Sequence, residues 1–171
     1  MREITLRKIN LNDKKYFTVW WRDKELLELT SGDIERISNQ EVDRYFQNVL
    51  DSKADYHYMI LADNDAIGHI SLSKRQCDWY EIQIIIGDKN YWSKGYGTRA
   101  IELLIDESKH FEISKIYLEV RPTNVRAIKA YEKCGFKQIK TISYPNNKFL
   151  PETIRMELKK LTIIRSSHCS R

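Results

Sequence analysis

The chain has 171 residues, 42% of them hydrophobic and 31% charged, and a formal net charge of +5. That length suits one domain with a sizeable core, and no apolar run approaches the ~18 residues of a membrane span, which excludes a spanning protein and a compositionally disordered one. The three cysteines, Cys77, Cys134 and Cys169, and the four histidines, His57, His69, His110 and His168, lack ligand or pairing spacing, so neither a disulfide framework nor a metal site is expected.

The start, MREITLRKI, has no secretory pattern, and a cytoplasmic protein is expected. The basic residues are dispersed. Segment 23–51 runs the other way, with Asp23, Glu25, Glu28, Asp33, Glu35, Glu41, Asp43 and Asp51 against Lys24, Arg36 and Arg44. A nucleic-acid partner is therefore not expected.

In chain order, residues 3–9 alternate apolar and polar and predict a strand. Asn12 or Asp13 then caps a helix carrying Tyr16, Phe17, Val19 and Trp20. Segment 26–37 reads as helix plus loop. A further helix runs over about residues 40–50, opened by Ser38 or Asn39, with Val42, Tyr45, Phe46, Val49 and Leu50 inward. Residues 56–62 and 66–73 form a hairpin around Asn64-Asp65, and a short turn at 75–78 leads into the apolar strand 80–86. That strand, dense in isoleucine, belongs mid-sheet. A helix follows whose apolar stripe is Ala100, Ile101, Leu104, Ile105 and Ser108. Residues 115–121 predict a strand parallel to 80–86, joined through that helix. Asn124 caps a helix carrying Ala127, Ile128, Tyr131 and Cys134, and Gly135 supplies its left-handed end. Residues 136–143 and 153–158 pair across the Pro145-Asn146-Asn147 turn.

The expected fold is one α+β domain over residues 1–161, a mixed, mostly antiparallel sheet of about seven strands flanked by about four helices, with a disordered tail at 162–171.

The chemistry concentrates at Lys94-Gly95-Tyr96-Gly97-Thr98. Two glycines allow close backbone approach, and the first amides of a helix carry partial positive charge with no internal partner, which makes a diphosphate cradle. The same residues also read as a loop easing into an ordinary helix. Gly95-x-Gly97-x-x-Ala100 fits a dinucleotide fingerprint too, with Glu119 as the ribose acid. Against that, the glycines lie well beyond the strand, and too little chain follows for more parallel units.

Two runs, "EIQIIIGDKNYWSKGYGTRAIELLI" and "NVRAIKAYEKCGF", resemble the acetyl-CoA motif and the following Asn-helix-Tyr-Gly-Phe segment of the GNAT superfamily of N-acetyltransferases. "LRKINLNDKKYFTVWWRD" is similar to the branch with ribosomal-protein N-terminal and spermidine acetyltransferases. The resemblance implies acetyl-CoA as cosubstrate, held by Ile84, Ile85, Ile86, Trp92, Ser93, Lys94, Gly95, Tyr96, Gly97, Thr98, Asn124, Ala127 and Tyr131. It implies as acceptor a peptide N-terminus or a small cationic amine such as a polyamine, attacking directly in a ternary complex, and is compatible with a homodimer. An aminoglycoside acetyltransferase and a non-catalytic acyl-CoA sensor are the alternatives. One departure is plain: Trp92 stands where the family favours Arg or Gln.

A primary amine of pKa near 10.4 is almost wholly protonated at neutral pH, a cost of about 4.6 kcal/mol. By motif position Glu81 is the implied base, or else a solvated strand-end charge. Tyr131 is the implied hydrogen-bond donor to the departing thiolate, or else a core tyrosine. Trp20, Trp21, Tyr45 and Phe46 wall the acceptor site or pack the core.

Overall fold

The computed structural model describes residues 2–30 and 37–158; the expectations placed on Asp33, Glu35, Arg36 and the tail with His168 and Cys169 lie outside the described residues. The alternating and apolar runs become β1 (Ile4–Lys8), β2 (Tyr56–Ala62), β3 (Asp65–Lys74), β4 (Tyr80–Ile86), β5 (Ile116–Val120), β6 (Phe136–Ser143) and β7 (Glu152–Leu158). They form one sheet in the order β1-β2-β3-β4-β5-β7-β6. Among the described residues only the β4 and β5 pair is parallel. The isoleucine-rich strand lies in the middle.

Five α-helices stand among the described residues: α1 (Lys14–Trp20), α2 (Lys24–Leu29), α3 (Asn39–Asp51), α4 (Tyr96–His110) and α5 (Val125–Lys133). That is one more than the sequence predicts. The additional one is α2, which overlaps the segment read as helix plus loop but starts two residues earlier; Asp23 accepts from the Leu26 amide at 3.2 Å and Leu26 buries against the core. The start of α1 also differs. Asn10, not Asn12 or Asp13, caps the turn that leads into it, while Asp13 is buried and takes two hydrogen bonds from Arg7, at 2.7 and 3.1 Å, and one from the Asn10 amide at 2.8 Å. A buried carboxylate persists only with such partners. Val19 is 64% exposed, because it lies two residues, about 200° of helix rotation, from the buried Phe17. Tyr45 is likewise exposed at the flank of the stripe formed by Val42 and Phe46. The α3 cap at Ser38 is reciprocated by Glu41.

The β2–β3 turn is Asp63-Asn64, one residue earlier than expected, with φ of 47° and 77°. A two-residue hairpin needs positive φ at both positions, which Asp and Asn tolerate. The helices divide between the faces of the sheet. Buried residues of α4 and α5 pack with Ile60, Ile70, Leu72, Ile82, Ile116 and Leu118 on one side. On the other, Phe17, Trp20, Leu26 and Phe46 pack on Met59 and Leu61 at the β1–β2 end. Among the described residues no helix packs on the second face over β4 and β5.

Candidate active site

The site begins where two strands part. β3 stays in register with β4 out to Gly68↔Ile86, whereas β4 and β5 pair only at Tyr80↔Ile116 and Glu81↔Tyr117. The Tyr80 amide donates to the Lys115 carbonyl at 2.9 Å. By strand alternation Ile84 and Ile86 turn their backbone groups toward the edge that β5 has left. The opening is a cleft of about 880 Å³. Because of it Ile84, Ile85 and Ile86 are only half-buried, and Gln83, on the central strand, is exposed.

One mouth of the cleft is the start of α4. Gly95 has a φ of 85° and accepts from the Arg99 amide at 3.0 Å, so the amides of Tyr96, Gly97 and Thr98 have no intrahelical partner. Ser93, Gly95, Tyr96, Gly97 and Thr98 all line the cleft; Lys94 is exposed beside it. The Trp92 indole N–H donates to the Ile86 carbonyl at 2.6 Å, tying the loop to the end of β4. The Arg126 guanidinium of α5 lies 4.3 Å from the Trp92 ring centroid. Asn124 accepts from the Ala127 amide at 3.2 Å as a cap, and its amide reaches Leu29 O at 3.4 Å. Ala127 and Tyr131, one helical turn apart, both line the cleft. The Tyr131 hydroxyl has no hydrogen-bond partner among the described residues, and burial pushes its pKa up to about 12.

The other mouth carries two carboxylates. Glu81 is held at 2.8 Å by both Nε and Nη2 of Arg75. Glu119, on the same face of β5 as Tyr117, accepts from Tyr144 at 2.6 Å and Thr153 at 2.7 Å, both on one oxygen. It has no cationic partner among the described residues. Its hydrogen bond pushes the Tyr144 phenol up to about 12. His57 and His69 line the floor, with His69 cross-strand from Ile85. Of the expected aromatic wall, Trp20 and Trp21 line the cleft, joined by Phe17; Phe46 is core and Tyr45 is exposed.

Thus α4, β4 and α5 bring twelve of the thirteen expected cofactor residues, all but Lys94, to one cleft with Glu81. The sequence reading missed Arg126 and the histidines, and weighed Glu119 only as a ribose acid. Arg126 stood two residues after Asn124 in the quoted run and could have been found there. Among the described residues, no group of three or more His, Cys, Asp or Glu could hold a metal ion, and no helix is long and apolar enough to cross a membrane.

Residues 3–137 match the model of the acetyltransferase (GNAT) domain. The chain belongs to the GNAT acetyltransferase family. It is 26% identical over 160 residues to an aminoglycoside N(6')-acetyltransferase type 1 of Klebsiella pneumoniae, covering 84% of this chain and 78% of that one. It is 30% identical over 100 residues to the [ribosomal protein bS18]-alanine N-acetyltransferase of Escherichia coli, 57% of this chain and 68% of that one. Its fold is similar to that of the spermidine N-acetyltransferase of Vibrio cholerae in complex with CoA and spermine, at TM-score 0.77, 22% identity and coverage of 90% and 94%. A structure of AAC(6')-Ib in complex with ribostamycin and coenzyme A gives TM-score 0.79 at 20% identity, covering 99% of both chains. As a GNAT member the chain is an acyltransferase with acetyl-CoA as cosubstrate, and the dinucleotide and sensor alternatives fall away.

Proposed function

We propose that this GNAT protein moves the acetyl group of acetyl-CoA to a primary amine on a cationic acceptor, a small polyamine-like or aminosugar molecule or a peptide N-terminus, in one ternary complex in the cytoplasm. The observation that carries the reading is the split between β4 and β5, which joins a mouth of free helix amides to a mouth holding a carboxylate without a salt bridge among the described residues.

In this reading the diphosphate lies on the amides of Tyr96, Gly97 and Thr98. The pantetheine arm adds to the open edge of β4 at Ile84 and at the Ile86 amide as an extra strand would, the Ile86 carbonyl being held by Trp92. The acceptor enters from the open face. Glu119, without a salt bridge among the described residues, attracts the ammonium and takes its proton, directly or through water. Glu81 shares that mouth, but Arg75 already balances its charge. The amine lone pair then attacks the thioester carbon, the C–N bond forms as the C–S bond breaks, the surplus proton on the acylated nitrogen passes to the departing sulfur to leave the amide and the CoA thiol, and the Tyr131 hydroxyl donates a hydrogen bond to that sulfur as its charge develops. A phenol at about 12 does not surrender its proton to a thiolate of pKa near 8.5, so that donation stays a hydrogen bond.

The acidic segment 23–51 contributes less than its composition suggests. Asp23 and Glu25 both bind Lys89 at 2.8 Å, Asp43 binds Lys14, Glu41 serves the Ser38 cap and Asp51 accepts from Gln47. The cationic preference rests on Glu119 instead.

Thermal unfolding with acetyl-CoA, CoA and NAD in parallel tests the donor, since a ligand at about 100 times its Kd adds roughly 2.7 kcal/mol. Thiol release with spermine, kanamycin and an alanine-initiated peptide tests the acceptor class. A rise with NAD alone, or turnover with none of the three amines, would sink the reading.

A further inference from the structure

The floor of the cleft holds a histidine pair that the acetyl-transfer steps above do not use. A bulge between Ile60 and Leu61 shifts the β2–β3 register, so that His57 pairs with Ser71 and His69 with Met59, and both imidazoles share the open face. Their rings stack at 5.3 Å between centroids and 14° between planes, with His57 Nδ1 3.2 Å from His69 Nε2. At that separation one ring donates and the other accepts. Asp55 Oδ2 lies 4.0 Å from His57 Nε2. That is beyond hydrogen-bond reach, yet a carboxylate there favours a proton on Nε2 over a bare lone pair. The rest follows by exclusion. With Nε2 protonated, neutral His57 must accept at Nδ1, His69 must donate from Nε2, and His69 Nδ1 is left bare. No hydrogen-bond partner of that nitrogen stands among the described residues, and the ring lines the cleft cross-strand from Ile85, beside the edge of β4 that β5 has left.

We propose that His69 orients the acceptor: its bare Nδ1 takes a hydrogen bond from the amine N–H, so that the nitrogen lone pair faces the thioester carbon. His57 and Asp55 act through it by fixing its tautomer, and are positioning residues. The proton lost by the ammonium still goes to Glu119, and no charge passes through the imidazoles. Burial, with the neighbouring His57, holds the His69 pKa down to about 3, so the ring stays neutral and does not repel a cationic acceptor. The inference rests on the acetyl-transfer reading.

The test pairs a spectrum with kinetics. Nitrogen-15 NMR of the whole protein should show His69 with Nδ1 unprotonated and Nε2 protonated. Asp55→Asn keeps the oxygen that accepts from the Lys74 amide at 2.9 Å, but turns an NH₂ toward His57. It should therefore reverse both tautomers. With whichever of spermine, kanamycin or the alanine peptide turns over fastest, Asp55→Asn and His69→Phe should each lower kcat about tenfold, the worth of one hydrogen bond, and leave the acetyl-CoA Kd unchanged. A protonated Nδ1 on wild-type His69 overturns the proposal, as does an unchanged kcat in His69→Phe. Failure of the wild type on all three amines overturns the acetyl-transfer reading and this inference with it. That failure is recognisable because it needs no variant.

Discussion

Arg126 lays its guanidinium over the indole of Trp92, 4.3 Å from the ring centroid, at the mouth where the α4 amides are free. The sequence has Trp where the family favours Arg or Gln, and the structure returns a cation to that place from the next helix. The stack also stiffens a side chain whose N–H already holds the Ile86 carbonyl. Arg126→Ala should weaken acetyl-CoA binding by about 1–2 kcal/mol, roughly five- to thirtyfold. Arg126→Lys should recover only part of this, because an ammonium lacks the planar stack. Calorimetric titration with acetyl-CoA reads both, and an unchanged Kd in Arg126→Ala would remove the residue from the site.

Glu119 and Glu81 face the same cleft with different partners, and the difference orders their roles. Glu119→Gln should keep the bonds from Tyr144 and Thr153, remove the charge, and lower kcat/KM for the amine about a hundredfold or more. Glu81→Gln should cost activity less than tenfold but lower the unfolding midpoint, since it leaves the Arg75 guanidinium without its anion. Steady-state rates and a melting curve for both variants decide. The reverse order of activity loss would restore Glu81 as the base.

Much of this was legible because periodicity and caps are local. The strands, the Asn124 cap, the Gly135 end with its φ of 91° and the glycines at the start of α4 all follow from near neighbours in the chain. What was hidden depends on register. Had the pairing of Leu61 with Ala66 continued without a bulge, His57 would face Ile70 and His69 would point to the opposite side of the sheet. The parting of β4 from β5 is equally silent in sequence, and with it the reason that so apolar a strand is only half-buried. Glu119 became prominent only when its hydroxyl partners arrived from β7 and the strand connection before it, 34 and 25 residues away.

Tyr131→Phe removes the hydroxyl and little else, since the ring keeps its edge contact with Phe136. Losing a hydrogen bond to a forming thiolate should lower kcat roughly ten- to hundredfold with acetyl-CoA affinity nearly unchanged. Because the phenol sits at about 12, it stays protonated to well above pH 10, so it should add no alkaline fall to the rate below that pH. Wild-type kcat in the variant would return Tyr131 to the core.

Gly68 supports the same edge from the other side. A Cβ placed there would stand 2.3 Å from the Ile85 carbonyl oxygen, a backbone atom of the central strand that cannot swing away. Gly68→Ala should destabilise the fold by about 1–3 kcal/mol, or about 3 to 10 °C in Tm, and disturb the β4 edge with it. Gly97→Ala is the control. Its Cβ would meet Ile86 at an ordinary 3.7 Å, so stability should hold, while Gly97→Val fills the mouth and weakens acetyl-CoA binding.

The buried histidines give the fold a pH dependence whose sign is fixed. Burial lowers the His57 pKa, and burial with the neighbouring ring lowers that of His69 to about 3, both from an unfolded value near 6.5. Between those limits the unfolded chain binds more protons than the folded one, so stability rises with pH there. The contribution is full above about 6.5 and is lost as pH falls toward 3, by up to about 1.4 kcal/mol per pH unit for each imidazole that stays neutral. Asp23 and Glu41, whose pKa values are lowered by Lys89 and by the Ser38 cap, act only at the acid end, below the ordinary carboxylate range near 4. Denaturant midpoints at pH 7, 6 and 5 therefore isolate the histidines. The wild type should lose stability across that series and His69→Phe should lose less; equal slopes would mean that His69 is protonated in the folded protein and that the neutral pair at the floor of the cleft does not exist.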